Sequence, residues 1–199
     1  MHSGPRITRD TGESPAQTAN PKTLLRKALL ARRRGYDAAA RAQWDAAIGE
    51  RIVAWCAARN VAALGVYWAL PGEPELGATY AELAACGMRL LLPVVVEKDA
   101  PLLFAQWTPG EPMLKDGMGV AVPAQRRIEP TPPALLVPCL GFNDARLRLG
   151  YGGGFYDRTL ALPPRPVTLG VAYAGMQADF AGESHDIALD NIATEAALL

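Results

Sequence analysis

Between Arg148 and Asp157 the chain reads RLGYGGGFYD, with four glycines in five positions: Gly150, Gly152, Gly153 and Gly154. Glycine tolerates φ > 0 and lets the backbone approach a ligand closely, so successive N–H groups can line a concavity that holds an anion. A cation precedes the glycines, and Phe155, Tyr156 and Asp157 follow them, with Tyr151 among them. The run matches neither common nucleotide fingerprint. No lysine follows it, as a P-loop requires, and Phe155 stands where the dinucleotide pattern would need glycine. A plain turn packed by two core aromatics is the competing reading. A turn needs only one or two glycines, however, and each further one costs roughly 0.5–1 kcal/mol of chain entropy.

Other groups that could do chemistry are scattered. Lys22 and Arg26 are four apart on a predicted helix and share one side of it. They read either as a solvated basic face or as two cations reaching a polyphosphate held elsewhere. Arg32, Arg33 and Arg34 close that helix, where cations complement the dipole without any ligand. Glu73 and Glu75 follow an apolar run, and Trp68 ends it; each is read as a loop or core residue, or as part of a strand-end site. His185-Asp186 is either a turn or, with Asp157, part of a metal site. Mg²⁺ commonly takes one or two carboxylates plus phosphate oxygens.

The elements that must position these groups alternate along the chain. Asn20-Pro21 starts a helix that Gly35 ends, with Leu24, Leu25, Ala28 and Leu29 on its core face. A second helix spans about 37–59, with Trp44, Ile48, Ile52, Val53 and Trp55 apolar. Residues 61–70 and 88–96 read as buried strands joined through a helix over 79–87, which implies a parallel pair. Residues 102–107 give a third strand near an edge, and 108–133, rich in proline and glycine, read as a long loop of the kind often found at a site. The run 134–138 is a strand leading to the glycines, and 154–163 a short helix after them. Strand, glycine loop and helix is the layout in which a helix N-terminus meets phosphate. Residues 167–173 make a further strand, followed by a polar stretch and a short terminal segment.

Composition narrows the function. With 199 residues, 50% of them apolar and no long apolar run, one domain and no membrane span are expected. Twenty basic and twenty acidic residues cancel, which argues against a nucleic-acid binder. Three cysteines without C-x-x-C pairing read as buried thiols of a reducing compartment. Residues 1–20 lack an apolar core and read as a disordered tail on a cytoplasmic protein.

Taken together, these features resemble one family. VPCLGFNDARLRLGYGGGFYDRTL (137–160) is similar to the most telling segment of the 5-formyltetrahydrofolate cyclo-ligases, also called methenyltetrahydrofolate synthetases. Lys22 to Arg26 matches their K-x-x-x-R, Pro71 to Glu73 their P-G-E, Gly87 to Val94 their G-x-x-x-x-L-P-V, and His185-Asp186 their terminal H-D. The likeness spans about 21–195. Leu76, Asn143 and Arg146 depart from the pattern.

The resemblance implies a single α/β domain over 21–199, a three-layer sandwich with a mostly parallel central sheet and helices on both faces. It implies a monomer using ATP and Mg²⁺ to convert 5-formyltetrahydrofolate to 5,10-methenyltetrahydrofolate. On it, Lys22, Arg26 and Arg148 meet the phosphates, with Lys22 and Arg148 catalytic. Gly150, Tyr151, Gly152, Gly153, Gly154, Phe155 and Tyr156 contact the nucleotide. Trp68, Glu73, Tyr151, Gly152, Gly153, Gly154 and Phe155 contact the folate, and Asp157 and Asp186 hold the metal. A silent nucleotide- or folate-binding regulator is the alternative.

Overall fold

The first helix begins as its sequence dictates. Asn20 Oδ1 accepts the Lys22 N–H at 2.9 Å, Pro21 sits where no donor is needed, and α1 runs Pro21–Arg34. The computed structural model describes residues 20–199; the tail expected over 1–20 lies outside the described residues except for Asn20. Asp37 caps α2, Ala38–Ala58, through the Ala40 N–H. Then follow β1 Ala63–Gly65, α3 Gly77–Ala85, β2 Arg89–Val94, β3 Leu103–Trp107, β4 Met113–Lys115, β5 Ala121–Pro123, β6 Ile128–Glu129 and β7 Ala134–Pro138. The chain ends with β8 Gly141–Phe142, β9 Arg148–Leu149, α4 Phe155–Leu160, β10 Val167–Val171 and β11 Asn191–Ala193.

The central sheet has the order β11-β10-β7-β1-β2-β3-β6. The five strands from β11 to β2 pair in parallel, and β3 and β6 join antiparallel. Four consecutive residues of β7, Ala134 to Val137, are buried, as a central parallel strand covered on both faces requires. This is a single-domain α/β fold with a mostly parallel sheet. No helix among the described residues is long and apolar enough to cross a membrane.

Strand order explains where a site must lie. From β1 the chain passes through α3 to β2 on one side, and from β7 it passes through α4 to β10 on the other. The loops leaving adjacent β1 and β7 therefore part at a topological switch point, which opens a crevice beyond the carboxyl ends of the two strands.

Several local expectations need correction. Residues 108–133 are not a bare loop: Asp116 Oδ1 accepts the Met118 and Val120 N–H groups and turns a β4–β5 hairpin. A second hairpin, β8–β9, stands between β7 and the glycines, so Arg148 leaves a two-residue strand and not the buried run 134–138. The short terminal segment, given no element from sequence, supplies β11. Residues 61–70 form only a three-residue strand before the chain turns into the crevice. On α1, Leu24 is 54% exposed and Ala28 is exposed, while Leu29 and Arg33 are buried. The inward face thus carries Lys22, Arg26, Leu29 and Arg33, with Leu25, as expected, and Leu30 half-buried and packed against the core. Leucine count misled the reading of this face because the ends of the stripe meet a polar crevice and not the core. Cys56 and Cys139 are buried, but Cys86 is exposed.

Candidate active site

A cavity of about 440 Å³ occupies the crevice. The site residues that the resemblance assigns all line it: Lys22, Arg26, Trp68, Glu73, Arg148, Gly150 to Asp157, and Asp186; Glu75 is exposed and does not. The β4–β5 hairpin closes part of the rim with Asp116, Met118 and Val120.

The glycine loop is built for close approach. Gly152 has φ +97° and Gly154 φ +64°, conformations that side chains disfavour. A Cβ on Gly153 would lie 2.8 Å from the Phe155 ring. From Gly150 to Gly154 no backbone N–H donates to an acceptor among the described residues, so these donors stay unclaimed in a loop that lines the cavity. The loop is fixed instead through its carbonyls: Arg26 Nε donates to Gly150 O at 2.8 Å and Arg158 Nη1 to Gly153 O at 2.7 Å. Helix α4 has six residues, too few for a strong macrodipole, so the loop's own N–H groups and the nearby cations supply the positive field.

Around this loop Lys22 and Arg148 have acidic neighbours, whereas Arg26 forms no ion pair among the described residues. Lys22 Nζ lies 2.9 Å from Asp186 Oδ2 and 2.9 Å from Glu183 Oε1. Burial alone would lower the Lys22 pKa, but its bonds to Asp186 and Glu183 win and raise it. Burial would likewise raise Asp186, and the Lys22 bond turns the shift downward. Arg148 Nη2 donates to Asp157 Oδ2 at 2.7 Å, and its guanidinium lies 5.2 Å from the Tyr156 ring centroid. His185 is exposed at the rim, within 3.9 Å of Asp186.

Opposite the loop, Glu73 is 4% exposed. Its Oε2 accepts the Leu70 N–H at 2.9 Å, and Oε1 accepts the Tyr151 hydroxyl. Burial pushes its carboxyl above the usual range, and the hydrogen bonds and Arg33 offset only part of this. Each carboxylate oxygen can take a second donor, so Glu73 keeps acceptor capacity toward the cavity. Trp68, 42% exposed, packs edge-on against Trp107 at 6.1 Å and offers an open face.

A model of the 5-formyltetrahydrofolate cyclo-ligase family matches residues 18–195. The chain belongs to that family. A 5-formyltetrahydrofolate cyclo-ligase of Mycolicibacterium smegmatis is 32% identical over 87% of this chain and 93% of its own. One of Mycoplasma pneumoniae is 25% identical over 86% and 96%. A solved 5,10-methenyltetrahydrofolate synthetase from Mycoplasma pneumoniae superposes with a TM-score of 0.71 at 25% identity, covering 88% of this chain and 99% of that one. A structure from Aquifex aeolicus shares the fold, with a TM-score of 0.77 at 22% identity over 89% and 91%.

Three polar groups in or beside this cyclo-ligase cavity were not read as site residues in the sequence: Glu183 lines it, and Arg33 and Arg158 hold residues that do. Arg33, read as a dipole partner, is buried; its Nη2 donates to the Tyr151 hydroxyl at 2.8 Å, and its Nη1 lies 3.9 Å from Glu73 Oε1. Its spacing of seven from Arg26 places it on the same helical stripe, a signal that was available. Arg158 follows Asp157 directly, yet nothing in its position foretold that it would reach back to Gly153 O. Glu183 sits in a polar stretch without any pattern.

Proposed function

We propose that the cavity binds ATP beside 5-formyltetrahydrofolate and converts the folate to 5,10-methenyltetrahydrofolate, with ADP and phosphate released. The observation that carries this reading is the meeting of two unlike features in one cavity. Unclaimed loop N–H groups with three cations suit a polyphosphate, and the buried Glu73 carboxylate suits the N–H face of a pterin.

Lys22, Arg26 and Arg148 hold the phosphates as they enter the loop, and the N–H groups of Gly150 to Gly154 wrap them. Tyr156, under the Arg148 guanidinium, borders the nucleotide. Glu73 orients the pterin, and Trp68, Tyr151 and Phe155 present flat faces to it. Phosphoryl transfer needs the formyl oxygen in line with the γ-phosphoryl group, and two ligands held side by side in one cavity would satisfy that need. The oxygen attacks phosphorus, the bond to the ADP oxygen breaks, and an imidate-like phosphate forms. The N10 lone pair then attacks the activated carbon, the N10 proton is lost, and phosphate leaves with the former formyl oxygen. No protein nucleophile is required; positioning and charge stabilisation carry the rate.

Asp157 and Asp186 fit a magnesium ion. Each turns one oxygen to a cation, at 2.7 Å and 2.9 Å, and leaves Oδ1 without a hydrogen-bond donor among the described residues. Two carboxylates plus phosphate oxygens make an ordinary Mg²⁺ set. When bound, the metal supplies neutralisation of the polyphosphate charge. The neutral net charge and the family reading fit a cytoplasmic monomer with no nucleic-acid or membrane partner.

Oxygen labelling tests the route. With ¹⁸O in the formyl group and MgATP present, inorganic phosphate should carry the label. Label appearing only in water would contradict phosphorylation of that oxygen.

A further inference from the structure

Behind Tyr151 lies a second pocket, of about 450 Å³. Leu70 and Tyr151 line both it and the main cavity, so one side chain's thickness separates the two. Three guanidinium groups face this pocket: Arg33 and Arg34 from the end of α1, and Arg41 from the first turn of α2.

Glu73 balances part of the positive charge here, but two of the guanidinium nitrogens have no hydrogen-bond acceptor among the described residues. Arg33 is 4% exposed, and its Nη1 is buried without a hydrogen-bond partner among the described residues. Glu73, at 3.9 Å from that nitrogen, is beyond hydrogen-bond range. Arg41 Nε is likewise buried without an acceptor. Neither Arg34 nor Arg41 forms an ion pair among the described residues. The acids four residues to either side of Arg41, Asp37 and Asp45, accept the Ala40 N–H at 2.9 Å and the Tyr173 hydroxyl at 2.8 Å. A buried donor without an acceptor is costly, and native proteins rarely leave two in one place unless something else supplies the acceptor.

We propose that this arginine pocket is a carboxylate-binding subsite. Guanidinium is planar and presents paired N–H groups that match a carboxylate's two oxygens, and two such forks with a buried third leave room for a flexible acidic chain. The carboxylate has two available sources. One is the glutamyl end of a folate whose ring lies in the main cavity, which rests on the function proposed above. The other is a free small dicarboxylate.

The test uses Arg34→Gln, Arg41→Gln and the double variant, and leaves Arg33 in place because it holds Tyr151. Turnover is measured with 5-formyltetrahydrofolate bearing one or three γ-linked glutamates, and with 5-formyltetrahydropteroate, which has none. Binding of γ-glutamylglutamate alone is read by calorimetry. The double variant should raise KM for the triglutamate by about tenfold, the loss expected for a charged contact, with kcat and the pteroate KM unchanged. If every KM is unchanged but dipeptide binding is lost, the subsite serves a free dicarboxylate. If the variants match the unsubstituted protein in both arms, or if the pteroate KM rises equally, the subsite is overturned. Turnover of the pteroate form with flat variants would remove the subsite and keep the reaction. Failure to turn over any form would remove the reaction while calorimetry still reads the subsite.

Discussion

Tyr151 donates its hydroxyl to Glu73 across 78 residues of sequence, joining the glycine loop after β9 to the loop that leaves β1. Arg33 donates to the same hydroxyl oxygen from α1 at 2.8 Å, so three separate segments meet at one phenol. The two sides of the switch point are thereby tied together by side-chain hydrogen bonds.

Removing that hydroxyl should uncouple them. Tyr151→Phe leaves Arg33 Nη2 with only the weak 3.4 Å contact to Pro71 O and deprives Glu73 of a donor. Loss of a partner at a buried polar group costs about 1–3 kcal/mol. Thermal unfolding should drop by roughly 2–4 °C per kcal/mol, and KM should rise for folate more than for ATP. An unchanged Tm together with unchanged KM values would show that the phenol bridges nothing of consequence.

Glu73 gives a pH signature of known sign. Its folded pKa is raised, so the folded state holds the proton more tightly than the unfolded chain does. The resulting stability is fully present below the ordinary glutamate range and is lost as pH rises through the raised value. Glu73→Gln cannot ionise, so its stability relative to the unsubstituted protein should improve across that window. On the proposed role of Glu73, pterin recognition uses the ionised form and should run the other way: folate KM should climb as pH falls through the raised value and be flat in the variant. Parallel KM profiles for the two proteins would exclude the carboxylate from binding.

Asp157 must be tested with its partner in mind. The Arg148 and Asp157 side chains are 7% and 14% exposed and 2.7 Å apart. Asp157→Ala strands a buried cation, at a cost of about 3–5 kcal/mol, so lost activity there would mix unfolding with chemistry. Asp157→Asn keeps an oxygen for Arg148 and removes the charge a metal needs. Circular dichroism should show a native fold, and turnover should fall by about a hundredfold or more, partly restored by raised Mg²⁺. Near-normal turnover at limiting Mg²⁺ would remove the metal role.

Two glycines should separate by effect. Gly152→Ala forces an alanine to φ +97° with its Cβ in ordinary contact with Arg26 Cζ at 3.9 Å, so the cost is a backbone strain of about 1–2 kcal/mol that falls on the glycine loop. ATP KM should rise by roughly tenfold. Gly153→Ala instead drives a methyl into the Phe155 ring, 2.8 Å away, and should chiefly raise folate KM. Equal effects on both substrates from both variants would argue against this division of the loop.

Much of this was legible beforehand where local chemistry decides the outcome. Asn20, Pro21 and Asp37 marked helix starts because capping is local, and 134–138 was a strand because four buried residues in a row suit a central parallel position. The glycine loop declared itself by density. What stayed hidden depends on distant partners. The hairpins β4–β5 and β8–β9 are held by few residues and by Asp116 and Asn143 side chains that bond neighbouring N–H groups. Asn143, a departure from the family pattern, accepts the Ala145 and Leu147 N–H groups and so makes the turn itself. Arg146, another departure, takes φ +57° and donates to Leu189 O at 3.1 Å, which ties the turn to the segment before β11. Arg33 escaped because a helix-end arginine has a sufficient local explanation, and only the approach of Tyr151 and Glu73 reveals another.

The account rests on one cavity serving a triphosphate and a reduced folate together. Purified protein with MgATP and 5-formyltetrahydrofolate, followed in the near ultraviolet while ADP is assayed, tests that most directly. The methenyltetrahydrofolate band should grow with equimolar ADP and stop when either substrate is withheld. A folded protein that forms no band at saturating substrates, or forms it without consuming ATP, would contradict it.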